Sequence, residues 1–74
     1  MEINIDLQKR FGTKLAYIRK QKKISQKQLA DMVNMNFNYI GQIERGEANV
    51  TINTIKNIAD ALSINVKDLF EFSF

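Results

Sequence analysis

Residues 31–46, DMVNMNFNYIGQIERG, combine the periodicity of a helix with a large share of amide and aromatic side chains. Four of these residues follow i, i+3, i+4, i+7 spacing and share one helical face: Asn38, Gly41, Gln42 and Arg45. The opposite face presents Ile40 and Ile43 to a core. Asn and Gln amides pair bidentately with adenine, and a guanidinium pairs with guanine or a phosphate. The polar face is therefore suited to reading the base edges of a nucleic acid.

The composition excludes most catalytic chemistry. A chain of 74 residues has room for one domain with one small core. Cysteine and histidine are both absent, which removes disulfides, thiolate nucleophiles, zinc-finger ligand sets and the commonest general base. Because the acidic residues are scattered, we expect no enzyme, no metal site, no cofactor and no small-molecule substrate.

The chain also shows no membrane or export signal. Its first residues, MEINID, lack the basic start and apolar stretch of a signal peptide. No apolar run approaches the roughly 18 residues of a membrane span. We therefore expect no membrane partner and a cytoplasmic location, in a bacterium or encoded by a phage.

The basic residues are unevenly distributed. Residues 9–27 carry eight basic side chains and no acid, whereas residues 28–74 carry three basic and six acidic ones. This asymmetry fits contact with a phosphate backbone or an anionic membrane surface. The alternative is an ordinary solvated lysine face.

The apolar spacing predicts an all-α fold. Helices are expected at about 6–22, 26–33, 37–45, 52–62 and 66–71. Four helix starts are marked by a capping residue between the two apolar partners of a hydrophobic staple, at Ser25, Asn36, Thr51 and Asn65. The short connections leave no linker, so residues 1–74 are expected to form a single domain.

The second and third predicted helices have helix-turn-helix spacing. Ala30 allows the two helices to approach closely, and Asn34 lies where the turn needs a left-handed residue. Ser25 and Gln28 form a capping box before this unit, and Gly46 ends it. Together these positions are a strong indication of a DNA-binding helix-turn-helix.

The chain resembles the lambda-repressor-like, or Xre-type, DNA-binding proteins along nearly its whole length. The resemblance rests on FGTKLAYIRKQKKISQKQLA at 11–30, YIGQIERGEAN at 39–49 and TINTIKNIADALSINVKDLF at 51–70. The short controller proteins of restriction-modification systems are similar in length and in the YIG-x-IERGE-x-N segment. The resemblance implies a compact five-helix homodimer that binds operator DNA near its own gene and regulates transcription.

Nine residues are candidates for DNA contact. They are Ser25, Gln26, Lys27, Phe37, Asn38, Tyr39, Gln42, Arg45 and Asn49. Gln26 and Lys27 begin the second helix, where side chain, backbone N–H and helix dipole all suit a phosphate. The resemblance adds a phosphate contact for the Tyr39 hydroxyl and a backbone contact for Asn49.

Some of these candidates have structural alternatives. Ser25 is first a cap, and Tyr39 can instead pack over the second helix. Phe37 can lie against a thymine methyl or belong to the core. Gly41 either brings backbone close to DNA or to the second helix, or only relieves crowding.

The resemblance also implies a structural ion pair between Arg19 and Glu44. It further indicates a departure at Ala48, where controller proteins often present an arginine. A contact that relatives make there is therefore expected to be missing, and their operator sequence does not transfer.

The C-terminal segment 64–74 is the expected dimerisation segment. It is rich in apolar side chains, of which Val66, Leu69, Phe70 and Phe72 are the expected interface, with Phe74 beyond them. The alternative is that Leu69 and Phe70 close the monomer core and the last residues are disordered.

The expected function is sequence-specific transcriptional regulation. Double-stranded operator DNA and a second copy of the chain are the expected partners, and the resemblance leaves contact with RNA polymerase open. The alternatives are a phage-type repressor, or an antitoxin or adaptor that acts mainly through a protein partner.

Overall fold

Four α-helices and a short 3₁₀ helix make up the computed structural model, which describes residues 2–72 and the side chains of residues 7–72. The α-helices are α1 (Glu2–Gln21), α2 (Gln26–Met32), α3 (Phe37–Glu44) and α4 (Ile52–Ala61), and the 3₁₀ helix is Val66–Phe70. The predicted all-α class is confirmed. The expectation of five α-helices is corrected to four α-helices and one 3₁₀ helix. The last element has only five residues and winds as a 3₁₀ helix, a form that proteins use in short pieces.

The predicted caps begin the helices after α1. The Ser25 hydroxyl accepts the Gln28 N–H at 2.9 Å while the Gln28 side chain accepts the Ser25 N–H at 2.7 Å, so the predicted capping box is present. Asn36 and Thr51 cap α3 and α4 in the same way, through bonds to N–H groups of the first turn at 2.7 and 3.1 Å. Each cap satisfies a donor that the helix itself leaves unpaired.

All four α-helices end in the same kind of turn. A residue with positive φ follows each helix: Lys23 (59°), Asn34 (56°), Gly46 (75°) and Ser63 (59°). The next residue then donates its N–H to a carbonyl five positions back, as Met35 does to Ala30 at 2.8 Å and Ile64 to Ala59 at 3.0 Å. The left-handed conformation predicted for Asn34 is confirmed. After α1, α2 and α4 this turn brings the apolar residue that follows it to the staple of the next helix, whereas the residue that follows Gly46 is Glu47.

The core positions α3 against α1 at backbone distance. Its buried apolar residues are Phe11, Leu15, Ile18, Leu29, Ala30, Ile40, Ile43, Ile58, Ala59, Leu62 and Leu69. A Cβ at Gly12 would lie 2.2 Å from the Ile43 carbonyl oxygen, so only glycine permits this crossing of α1 over α3. No local pattern indicated this role for Gly12. None of the helices within residues 2–72 combines the length and the hydropathy that a membrane span requires.

Candidate nucleic-acid interface

A shallow groove of about 340 Å³ lies between the start of α2 and the outer face of α3. Its lining residues are Gln26, Phe37, Asn38, Gly41, Gln42 and Arg45. Three amides, one guanidinium and one half-exposed aromatic ring therefore converge on one open surface. All six residues were singled out from the sequence, five of them as DNA contacts.

The orientation of α3 follows from its two isoleucines. Ile40 and Ile43 are completely buried, whereas Asn38, Gln42 and Arg45 are exposed. The Asn36 cap fixes the first turn of α3, so the polar side chains of this helix project from the same side of the protein. Phe37 is 50% exposed and lines the groove, which rules out the alternative that its ring belongs to the core.

A buried ion pair fixes the end of α3. Arg19 donates through Nε to Glu44 Oε2 at 2.6 Å and through Nη2 to Glu44 Oε1 at 3.0 Å, and both side chains are less than a tenth exposed. Arg19 Nη1 also donates to the Ile24 carbonyl oxygen at 2.8 Å. The two residues that the resemblance pairs therefore lie side by side. Arg19 is consequently not part of the basic surface expected for residues 9–27.

The Gln26 side chain is turned toward the same ion pair. Its Nε2 donates to Glu44 Oε1 at 2.9 Å. Because a carboxylate only accepts hydrogen bonds, the amide nitrogen of Gln26, and not its oxygen, must face Glu44. The amide expected to bind phosphate is thus held in the groove by Glu44, which leaves its carbonyl oxygen and a second N–H for DNA. Lys27, next in the chain, is exposed at the start of α2.

Tyr39 and Asn49 are joined through the loop that follows α3. The half-buried Tyr39 packs against the core, and its hydroxyl donates to the Asn49 carbonyl oxygen at 3.4 Å. The Asn49 side-chain oxygen accepts a hydrogen bond from Gln8 Nε2 of α1. Because the oxygen accepts from Gln8, the amide nitrogen of Asn49 is the side-chain group that can donate to another partner. Gln8 was missed from the sequence, because it lies 41 residues away from its partner.

Arg45 has an acidic neighbour at the rim of the groove. Its Nε donates to Glu47 Oε2 at 3.1 Å, and both side chains are more than half exposed. The hydrogen bond that Arg45 donates to Glu47 and the attraction between the two charges raise the pKa of Arg45. Glu47 was not among the residues that the sequence singled out, although it lies only two positions from Arg45.

Gly41 faces the groove rather than a neighbouring backbone. A Cβ there would lie 3.0 Å from Arg45 Nη1 and 3.9 Å from Gln26 Nε2, both of them ends of flexible side chains. The expected approach of Gly41 to the second helix is therefore made to the end of the Gln26 side chain and not to the backbone of α2. Relief of crowding near Arg45 and close approach of DNA both remain.

The expected dimer residues separate into two groups. Val66 and Phe70 are each 37% exposed, whereas Leu69 is completely buried. Leu69 closes the monomer core and has no surface to offer a second chain, so its assignment to an interface is a correction. Phe70 packs on Phe11 with ring centroids 5.2 Å apart, and the half-buried Phe72 lies 5.9 Å from the Arg10 guanidinium. Phe74 lies outside the described residues.

Comparison with known proteins identifies the class. The family model described as "Helix-turn-helix" (HTH_3) matches residues 15–69, and the chain belongs to this family. The match covers α2, α3, the groove between them and α4, together with the last third of α1.

Within the family, the chain is similar to restriction-modification controller proteins. It is 41% identical over 64 residues to the control protein C.BamHI of Bacillus amyloliquefaciens, covering 85% of this chain and 79% of that protein. The crystal structure of the controller protein C.AhdI from Aeromonas hydrophila superposes with a TM-score of 0.84 at 38% identity, covering 88% of this chain and 97% of that one.

A third relative has been solved with DNA. It is the controller protein C.Esp1396I, a tetramer in complex with its natural 35-base-pair operator, with a TM-score of 0.75, 26% identity and coverage of 88% of this chain and 96% of that one. This chain is a helix-turn-helix transcriptional regulator that resembles the controller proteins, and it is not an enzyme.

Proposed function

We propose that this protein binds an operator near its own gene as a homodimer and regulates transcription in the manner of a restriction-modification controller. The proposal rests on the groove on α3. Its amides and guanidinium form one exposed surface beside the N-terminus of α2, where Lys27 is also exposed. In this arrangement α3 enters the major groove. Asn38 and Gln42 contact adenines, Phe37 contacts a thymine methyl and Arg45 contacts guanine or phosphate.

The sequence-independent part of the binding comes from α2 and the α3–α4 loop. Gln26 and Lys27 face a phosphate at the α2 N-terminus, with Ser25 beside them. The Tyr39 hydroxyl, expected to contact a phosphate, donates its proton to the Asn49 carbonyl oxygen, so Tyr39 is proposed to act through this loop. The Asn49 amide is proposed to donate to the DNA backbone. Of these residues, Gln26 also lines the groove. Contacts to the DNA backbone set the register of α3 on the duplex.

Two copies are needed for a specific site. A single domain of this size buries little surface on DNA, and a helix-turn-helix dimer places its two recognition helices about 34 Å apart, one turn of the duplex. Val66, Phe70 and Phe72 are the proposed dimer surface, since the first two expose apolar side chains. The proposed location is the cytoplasm, in contact with the chromosome, and RNA polymerase contact stays an expectation of the resemblance.

Fluorescence anisotropy tests the proposal directly. The purified protein is titrated against the duplex immediately upstream of its own gene and against a shuffled duplex, over a salt series around physiological strength. Tight, salt-sensitive preference for the native sequence is the expected result. Equal, weak binding to both duplexes would contradict it and favour an antitoxin or adaptor that works through a protein partner.

A further inference from the structure

Glu47 places a negative charge at the rim of a surface that is proposed to bind a polyanion. The six residues that line the groove include no acid, and the helix that opens it begins beside Lys27. An exposed carboxylate at this position weakens attraction to phosphate. A compensating role for Glu47 must therefore come from its contact with Arg45.

That contact fixes the orientation of the Arg45 guanidinium. Glu47 accepts from Nε at 3.1 Å, on the side of the group nearest the backbone. Nη1 lies over Gly41, where it would be 3.0 Å from a Cβ, so the planar group extends across the floor of the groove. With Nε engaged by Glu47, the Nη1 and Nη2 N–H groups are the donors that the guanidinium offers to a ligand within the groove.

These two donor groups match a guanine better than a phosphate. Two parallel N–H groups meet O6 and N7 of guanine in the major groove, and a guanidinium held in one orientation loses less freedom when it forms both bonds. The adjacent carboxylate offsets the charge of Arg45 and disfavours a nearby phosphate. The same carboxylate therefore orients the base contact and reduces sequence-independent attraction.

We propose that Glu47 is a specificity-determining residue that positions Arg45 to read a guanine and keeps it from the DNA backbone. This inference rests on the proposed function. It adds the base that is recognised, the residue that orients Arg45 for that base, and the origin of the preference for it. Arg45 makes the contact, and Glu47 acts through it.

Selection from a randomised duplex pool tests the inference with the full-length protein. The proteins are the wild type, Glu47→Gln, Arg45→Ala and the double variant, with Asp60→Asn as the control. Asp60 also forms an exposed pair, with Lys56 at 2.6 Å on α4, so this control removes the same charge away from the groove. Each selected sequence is then measured by anisotropy against the unselected pool.

The wild type is expected to select one guanine per half-site that Arg45→Ala no longer selects. Glu47→Gln should lower the preference for that guanine by less than the roughly 5- to 150-fold that a whole bidentate contact contributes, while it binds the unselected pool more tightly. In the Arg45→Ala background, Glu47→Gln should leave base preference unchanged, a result that a purely structural role would not produce. Asp60→Asn should retain the wild-type preference.

Two results would overturn the inference alone: the same guanine preference in Glu47→Gln and wild type, or a selected site without a guanine that depends on Arg45. A wild type that enriches no sequence would overturn the proposed function and this inference together. Equal urea midpoints for Glu47→Gln and wild type show that the comparison concerns folded proteins.

Discussion

The guanidinium of Arg19 forms a two-bond ion pair with Glu44, with N–O distances of 2.6 and 3.0 Å between side chains that are less than a tenth exposed. The pair joins the end of α1 to the end of α3. Because Glu44 also accepts from Gln26 at the start of α2, one carboxylate links three helices. The Arg19–Glu44 ion pair thus helps to hold together the helices that form the groove, although it lies outside the groove.

Loss of the Glu44 carboxylate should destabilise the whole domain. Glu44→Ala leaves the buried Arg19 charge without its main partner, and we expect the free energy of unfolding to fall by about 3 to 5 kcal/mol. Urea denaturation followed by circular dichroism measures the change. Glu47→Ala is the control and should leave the midpoint nearly unchanged, because its ion pair is exposed. A Glu44→Ala variant as stable as the control would show that the buried pair contributes little.

Two glycines in the same domain should respond oppositely to alanine. A Cβ at Gly12 would meet the backbone of α3, so Gly12→Ala should separate α1 from α3 and lower the melting temperature. A Cβ at Gly41 meets only the flexible ends of two side chains, so Gly41→Ala should retain the fold and gain up to about 1 kcal/mol of helix stability.

DNA binding separates the two explanations of Gly41 that remain. If DNA approaches the backbone of Gly41, the methyl group of Gly41→Ala should keep DNA away from α3 and weaken binding in the anisotropy assay. If Gly41 only relieves crowding at Arg45, Gly41→Ala should weaken binding no further once Arg45 is already alanine, whereas close approach of DNA predicts a further loss in that background. We expect weaker binding, because the position lines the groove between Gln26 and Arg45.

Local patterns in the sequence predicted most of the fold. Caps act within three residues and staples within five, so Ser25, Asn36 and Thr51 could be identified without tertiary information. The Asn34 turn was predictable for the same reason, since asparagine tolerates positive φ. The left-handed Lys23 and Ser63 were not, because neither residue type favours that conformation and the turn forms under the demands of packing.

The missed parts of the site depend on long-range contacts. Gly12 matters only because α3 crosses α1 there, and Gln8 matters because the loop at Asn49 folds back onto α1. Leu69 was assigned to an interface because the number of apolar residues in the C-terminal segment does not show which of them is buried in the monomer core. Burial in the monomer answers that question and leaves Val66 and Phe70 exposed.

Base-reading and phosphate-binding residues should have different mutational signatures. Gln42→Ala removes an amide that we assign to an adenine, and it should cost about 1 to 3 kcal/mol at one base position while other positions are unaffected. Lys27→Ala should weaken binding to all duplexes alike and reduce the salt slope by about 1. Both are measured by anisotropy on sites with single substitutions. Half-sites dominated by G·C pairs would contradict the roles given to Asn38, Gln42 and Phe37.

Dimerisation and operator binding should fail together when the C-terminal surface is changed. Val66→Asp is the sharpest variant, because Val66 is 37% exposed and an added carboxylate is tolerated by the monomer yet costly within an apolar interface. Phe70→Ala, or removal of 71–74, tests the same surface, but Phe70 also packs on Phe11. Sedimentation equilibrium should show a dimer for the wild type and a monomer for Val66→Asp at the same concentration.

Tyr17→Asp is the matched control for this surface. Tyr17 is 55% exposed on α1, outside the C-terminal segment, so its replacement introduces the same charge without changing the proposed interface. The control should remain a dimer and bind DNA like the wild type. Val66→Asp should bind the operator more weakly in proportion to the dimer that it loses, because each half-site then holds its protein alone. An unchanged monomer–dimer equilibrium in Val66→Asp would place the interface elsewhere on the domain.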